Sequence, residues 1–425
     1  MRRWLKWIGI AALVPVSLVS LLAVLLYIPS FQDFAVREAA AYASRATGMR
    51  IGIQRLRLSF PLALSVRGIE VVGASADTLL SLGDLTVRVQ ARPLFRRQVL
   101  VEAVDLRDVR LDTGSSLEGM TIRGTLGRLY AKADYIDLAN ERATLNEIDL
   151  SDTAITLLLD DTTARADTSA SVPVNWALLL EKIRLRDVAF ALQMPSDSLR
   201  LTAFIERAGL ERGLVDLGEA LYKVRSFRVE NSSLAYDANF AAPAAGLDPA
   251  HIRLSAFHAA IDSILYQGRN INARVRGLSA EERSGLTLTA LEGDVRADTA
   301  RIHLPELRLR TGHSDARLAA SIPWSVLEEP SAGEMTASLD ASIGKGDLML
   351  VAGALPADFR AAYPDRPLQL RADLRGNLSA MSLSRCDVTL PGALRLGLTG
   401  AVESVADSVR RTGEVRLDAE GGDLS

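Results

Sequence analysis

The sequence predicts a mainly β protein, an antiparallel sheet standing behind one N-terminal transmembrane helix. Three observations carry this. From Ile51 almost to the end of the chain, apolar and polar residues alternate at period two. One eight-residue unit recurs five times, and an uncharged stretch of 21 residues, Ile8 to Ile28, stands near the start.

At about 1.5 Å per residue the Ile8 to Ile28 stretch spans roughly 30 Å, the hydrocarbon thickness of a bilayer. Arg2, Arg3 and Lys6 precede it, and Trp4, Trp7 and Tyr27 lie near its ends. The charges that follow (Asp33, Arg37, Glu38, Arg45) balance, so the positive-inside rule keeps the amino end in the cytoplasm and puts everything after Pro29 outside it. Pro15 can kink such a helix without preventing insertion. A cleaved signal peptide is the competing reading, with Ala41-Tyr42-Ala43 as its site. The apolar run is longer than a signal h-region, however, and that site lies well beyond it. Residues 1–30 are therefore read as a cytoplasmic tip and membrane span.

Residues 31–48 follow as a short amphipathic helix. Phe31, Phe34, Ala35, Ala39, Tyr42 and Ala46 fall mostly three or four apart, and Gly48 stops the run. Such a helix either lies at the membrane-facing surface, plugs the end of the sheet or continues the anchor.

The repeated unit, h-x-h-x-[D/N/G]-x-x-h with h apolar, fits Leu64 to Val71, Val104 to Leu111, Ile148 to Ile155, Ile183 to Phe190 and Phe227 to Leu234. The starts are 40, 44, 35 and 44 residues apart, which marks an internal repeat. Within each unit the alternation slips by one after the second apolar residue. A bulge or tight turn is expected there, with its fifth residue (Gly68, Asp108, Asp152, Asp187, Asn231) at positive φ. The three aspartates could instead bind a cation, but Gly68 and Asn231 at the same position favour the turn.

Further alternation places strands at Leu85–Val89, Met120–Arg123, Leu199–Ala203, Ile271–Val275, Leu286–Leu288, Arg301–Leu309, Met335–Leu339, Leu368–Leu374, Met381–Leu390, Leu394–Leu398 and Val415–Leu417. Short helices are expected at Trp176–Lys182, Asp216–Lys223 and Ala357–Tyr363. Asp160 to Pro173 lacks any apolar period and reads as a polar loop, and Ala241 to Pro249 is a second break. The sheet thus divides into residues 49–160, a loop at 161–173, and a continuing segment at 174–425.

One sheet face carries Arg55, Arg57, Arg88, Arg184, Arg186 and Arg308 and is wet; the alternate positions are apolar. From the repeated units the lining of the apolar face is Leu64, Val66, Val71, Val104, Leu106, Val109, Leu111, Ile148, Leu150, Ile155, Ile183, Leu185, Val188, Phe190, Phe227, Val229 and Leu234. That face needs a cover, and the helices are too few to provide it. Either the sheet folds on itself as a sandwich or filled solenoid, or it curls into an open trough that holds an apolar ligand. Periodicity leaves both possible.

Composition and motifs exclude other classes. A formal charge of −3 and an aromatic share of 5% argue against nucleic acid. Cys386 stands alone, so no intramolecular disulfide forms. His251, His258, His303 and His313 are scattered without metal-ligand spacing. Gly344-Lys345-Gly346-Asp347 is not a phosphate loop: Leu339 stands where the first glycine is needed and Gly346 where Ser or Thr is needed. There is no G-x-S-x-G elbow, and Asp160-Asp161 reads as solvated charge. No catalytic, cofactor or metal site is expected, and the chain is not read as an enzyme.

The order of parts adds a resemblance. A membrane span and short helix lead into Ile53 to Val71 (IQRLRLSFPLALSVRGIEV) and Leu79 to Leu94, ending in Arg92-Pro93-Leu94. Gly246-Leu247-Asp248-Pro249-Ala250-His251-Ile252-Arg253-Leu254, Ser284-Gly285-Leu286-Thr287-Leu288-Thr289 and Leu304-Pro305-Glu306-Leu307-Arg308-Leu309-Arg310-Thr311 continue the likeness. In order and texture the chain resembles the amino-terminal region of the AsmA-like superfamily, TamB-like (translocation and assembly module) proteins in particular. The resemblance implies an elongated, curled antiparallel β-sheet, a taco-like β-groove, held in the periplasm by a single pass through the bacterial inner membrane. It also implies a role in outer-membrane biogenesis. The groove would shield phospholipid acyl chains between the two membranes; alternatively it would be a scaffold or chaperone that pairs with strands of outer-membrane β-barrel proteins. TamB-like proteins are longer and end in a characteristic domain, so the resemblance implies more chain after Ser425, and through it contact with an outer-membrane barrel partner.

Overall fold

A computed structural model describes residues 29–59, 62–73, 77–90, 100–114, 116, 119–137, 140–159, 175–329, 331–351, 363–404 and 412–421. The protein is mainly β, with nineteen strands among the described residues, in two compact units: Met1–Asp167 and Thr168–Ser425. The anchor stretch Ile8 to Ile28 and its flanks, and the polar loop 161–173, lie outside the described residues. Among those described, no helix is long and apolar enough to cross a membrane.

Unit 1 holds helix α1 (Pro29–Thr47) and strands β1 (Arg50–Ser59), β2 (Ala63–Val72), β3 (Thr78–Val89), β4 (Val101–Asp112), β5 (Met120–Asp137) and β6 (Arg142–Leu159). Each strand pairs antiparallel with the next in sequence, a meander in chain order. Unit 2 is a second meander: β7 (Ala177–Met194), β8 (Leu199–Asp216), β9 (Leu221–Asp237), β10 (His251–Gln267), β11 (Asn270–Glu282), β12 (Thr287–Ala297), β13 (Arg301–Thr311), β14 (Asp315–Pro323), β15 (Met335–Ile343), β16 (Leu368–Gly376), β17 (Ala380–Leu390), β18 (Leu394–Glu403) and β19 (Thr412–Gly421). Helix α2 (Trp324–Glu328) follows β14 and helix α3 (Lys345–Val351) follows β15. Every expected strand is present, and β5 to β10 are longer than the alternation suggests.

The short helices are where the sequence misleads. Trp176–Lys182 enters strand β7, because pairing with β8 overrides the local leucine run; Leu180 is buried while Leu179 is exposed. Asp216–Lys223 is the β8–β9 hairpin, its turn held by the Glu219 N–H donating to Asp216 Oδ1 at 3.0 Å, with Ala220 at φ 47°. Of the third segment, all but Tyr363 lies outside the described residues.

Helix α1 extends as expected, and Gly48 at φ 70° closes it with its N–H donating to Ser44 O. Its packing is not the expected one. Phe34 and Tyr42 are exposed, whereas Gln32 and Val36 are buried. The helix lies along β1: Ser44 Oγ accepts from Ile51 N at 3.0 Å, and Gln32 Nε2 donates to Leu58 O at 3.3 Å. These bonds satisfy backbone groups of an edge strand, which otherwise present a template for unwanted pairing. Of the three placements the sequence allows, covering the end of the sheet is the one this geometry matches.

The repeated units show how the long strands keep one face apolar. Gly68, Asp108, Asp152, Asp187 and Asn231 all adopt positive φ, between 46° and 61°. They are not one-strand bulges, however. Arg107 pairs with Asp84 and Val109 with Leu82, so Asp108 and Gly83 stand opposite each other with no residue inserted, and the same holds for Asp152 and Gly127. Across β1 to β6 the positions Gln54, Gly68, Gly83, Asp108, Gly127 and Asp152 form one row, a crease at which every strand slips its alternation together. Left-handed backbone on alternate strands needs small neighbours. A Cβ on Gly83 would lie 2.9 Å from the Asp108 Cβ, and one on Gly127 2.6 Å from the Asp152 Cβ.

In unit 2 the row runs Asp187, Glu206, Asn231, and here a side-chain bond from Asn231 Nδ2 to Glu206 Oε2 bridges the crease. A second crease crosses the longer strands at Arg212 (φ 52°) and Ser263 (φ 55°).

Candidate functional site

Directly opposed residues of an antiparallel pair share a face, so the register places each candidate. In unit 1 the rows are Leu64–Val87–Val104–Ala131–Ile148, Val66–Leu85–Leu106–Leu129–Leu150, Ile69–Leu82–Val109–Leu126–Thr153 and Val71–Leu80–Leu111–Gly124–Ile155. Strand β1 extends them with Leu58, Leu56, Ile53 and Ile51. In unit 2, Ile183 continues through Leu210 to Phe227, Leu185 through Ala208, Val229 and Ala259 to Leu278, Val188 to Ile205, and Phe190 through Ala203 to Leu234. Ala208, Val229 and Ala259 form a small core against Leu185, Ile205, Phe227, Phe257 and Leu278. The structure therefore brings all seventeen sequence candidates onto an apolar face, ten in unit 1 and seven in unit 2.

Their burial is incomplete. Val66, Val188 and Val229 are buried, Ile155 is 40% exposed, and the others are half-buried. A filled interior normally buries its aliphatic side chains almost fully, packed like an organic crystal. Val326 is the one large side chain under 2% exposed among the described residues. A cavity of about 510 Å³ opens on the apolar face of unit 2 between β10–β15 and α3, lined among others by Leu254, Leu278, Leu288, Leu309, Leu339 and Leu348.

The opposite face is charged and laced across the strands. Arg67 meets Asp84 at 2.7 Å, Arg207 meets Glu230 at 3.1 Å, Arg274 meets Asp294 at 2.8 Å and Arg308 meets Asp315 at 2.7 Å. Arg107 and Arg128 stand directly opposite each other, a like-charge pairing that weakens a sheet. Asp105 relieves it by accepting from both, at 2.8 and 3.0 Å.

The Arg107 bond, joined by Arg128 and opposed by partial burial, holds the Asp105 carboxyl down to about 2. A carboxylate depressed in the folded state contributes stability above its ordinary pKa, near 3.8, and loses it as pH falls through the folded value. The stability gap between wild type and Asp105→Asn is therefore expected to close as pH drops from 4 to 2, read by thermal unfolding at each pH. A gap that stays constant over that window would show that the ion pairs contribute nothing.

The sequence missed three parts of this site: the partner glycines Gly83 and Gly127, the second crease, and the α3 crossbar. A signal existed for the first, since the two glycines are 44 residues apart, the interval between two of the repeated units. Among the described residues no group of His, Cys, Asp and Glu has the arrangement of a metal site. No protein-family model and no curated protein matches the chain.

Proposed function

We propose that this chain is an inner-membrane-anchored periplasmic protein of outer-membrane biogenesis, whose open apolar face shelters phospholipid acyl chains crossing between the two membranes. The observation that carries the reading is the face itself: four mostly aliphatic rows cross the strands of unit 1, apolar rows cross β7 to β11 of unit 2, and only three of the seventeen candidates on them are buried. Removing each methylene of an acyl chain from water contributes about 0.8 kcal/mol, so such a surface is matched by a long hydrocarbon. The anchor rests on Ile8 to Ile28 with its basic leading flank. The exposed Phe34 and Tyr42 on α1, just after the span, suit a membrane interface.

The test uses the full chain in cells with phosphate-labelled lipids and a photo-crosslinking amino acid at single sites. At Leu106 it is expected to capture phospholipid; at Arg110, on the charged face, it is not. Capture of outer-membrane β-barrel proteins at both sites, without lipid, would replace this reading with strand-pairing scaffold work.

A further inference from the structure

The cavity beneath α3 has a chemistry that selects its occupant. Its walls are the aliphatic side chains of β10 to β15, and among the described residues four with polar side chains reach it: Glu282, Thr311, Ser314 and Asp347. All four are engaged. Asp347, itself buried, accepts from Thr311 Oγ1 and from Ser314 Oγ at 2.5 Å; Glu282 accepts from Arg253 N at 3.1 Å and from Ser284 N at 2.6 Å. Among the described residues no aromatic ring lines the space.

These bonds also hold the roof. Asp347 ties the first turn of α3 to the β13–β14 turn, Gly344 N donates to Ser314 Oγ at 3.1 Å, and at the other end Leu247 N donates to Leu350 O at 3.1 Å. Helix α3 is thus strapped across the apolar face, resting Leu348 over the strands while Met349 packs with Leu348 against Tyr363, Leu390 and Ala393.

The geometry points to a discrete site for one unbranched acyl chain of a diacyl phospholipid, enclosed by α3 and the β10–β15 face, with the headgroup left outside. This rests on the lipid-sheltering reading and sharpens it. About 510 Å³ lies within the roughly 300–1,000 Å³ of pockets that enclose small ligands. A peptide segment is a poor occupant, because its backbone N–H and C=O groups would be stripped of water against walls that offer no partner. Among the described lining residues a headgroup phosphate meets no cation, only two carboxylates. A pure hydrocarbon alone leaves nothing unsatisfied.

The experiment reconstitutes the full chain with vesicles of phosphatidylcholine bearing a diazirine midway along one acyl chain, irradiates, and maps labelled peptides by mass spectrometry. Label is expected on Leu278, Leu339 and Leu348 as well as on β2–β6. Leu288→Trp, which fills the cavity, is expected to lower label on β10–β15 and α3 at least tenfold while label on β4 persists. Leu339→Trp, from another wall, is the second filling variant. Label confined to β2–β6 in the wild type would overturn the enclosed site and leave the general reading standing. Label on neither unit would overturn both. Equal labelling of the cavity by a diazirine-bearing apolar peptide would overturn the assignment of its occupant.

Discussion

Gly127→Val is expected to destabilise unit 1 by about 3 kcal/mol, the upper end of what overpacking costs. The reason is the crease. A Cβ at Gly127 would lie 2.6 Å from the Asp152 Cβ, 3.0 Å from the Asp152 carbonyl oxygen and 3.3 Å from that of Ser151. None of these atoms is the loose end of a side chain. Asp152 is fixed at φ 53° with paired residues on both sides of it, so relief requires moving two strands at once. Asp152→Gly removes one of the clashing atoms and supplies a residue at ease with positive φ. It is expected to be nearly neutral alone and to recover at least 1 kcal/mol in the double variant, a coupling read by a double-mutant cycle in denaturant. Gly277→Ala is the contrasting substitution. Nothing lies within 4 Å of its Cβ, so alanine is expected to stabilise slightly by restricting the unfolded chain. If Gly127→Val and Gly277→Ala had equal effects, the crease would not be a packing constraint.

How far this architecture was legible in the sequence depends on whether a feature is local. The slip in alternation between Leu106 and Val109 is local, and the residue types at position five tolerate left-handed backbone, so the positive φ of Asp108 and its four counterparts follows from the sequence alone. What Asp108 packs against is not local. That Gly83 stands beside it depends on the register between β3 and β4, and periodicity within one strand carries no information about it. The same limit explains Trp176–Lys182. Its leucines suit a helix in isolation, and only strand β8 beside it, with the nearby slip at Arg212, keeps Leu180 and Ile183 on the apolar face despite odd spacing. Helix α3 was hidden because a seven-residue element held by Asp347, Thr311 and Ser314 has no period to detect. The lining residues were found because they obey the one rule that is both local and repeated. The cavity beneath α3 was not, since its walls come from six strands.

Leu106→Glu is expected to leave the protein folded and, on the lipid-sheltering proposal, to abolish lipid contact along β3–β5. Leu106 sits mid-row between Leu85 and Leu129, half-buried and reached by water. A carboxylate placed there keeps part of its hydration, so the cost of folding stays well below that of an unpaired charge in a closed interior. The apolar ligand fares differently, because an acyl chain lying over the row must either desolvate the charge or lift away from it. Losing contact for two methylenes already costs about 1.6 kcal/mol, more than a tenfold drop in occupancy. Diazirine-lipid labelling of β3–β5 should therefore fall at least tenfold, while circular dichroism is unchanged and the melting temperature drops by only a few degrees. Arg110→Glu, one residue short of Leu111 and on the charged face, should do neither. If Leu106→Glu instead unfolds unit 1 outright, its apolar face is a filled interior, and the lipid-sheltering surface must be sought in the cavity beneath α3 alone.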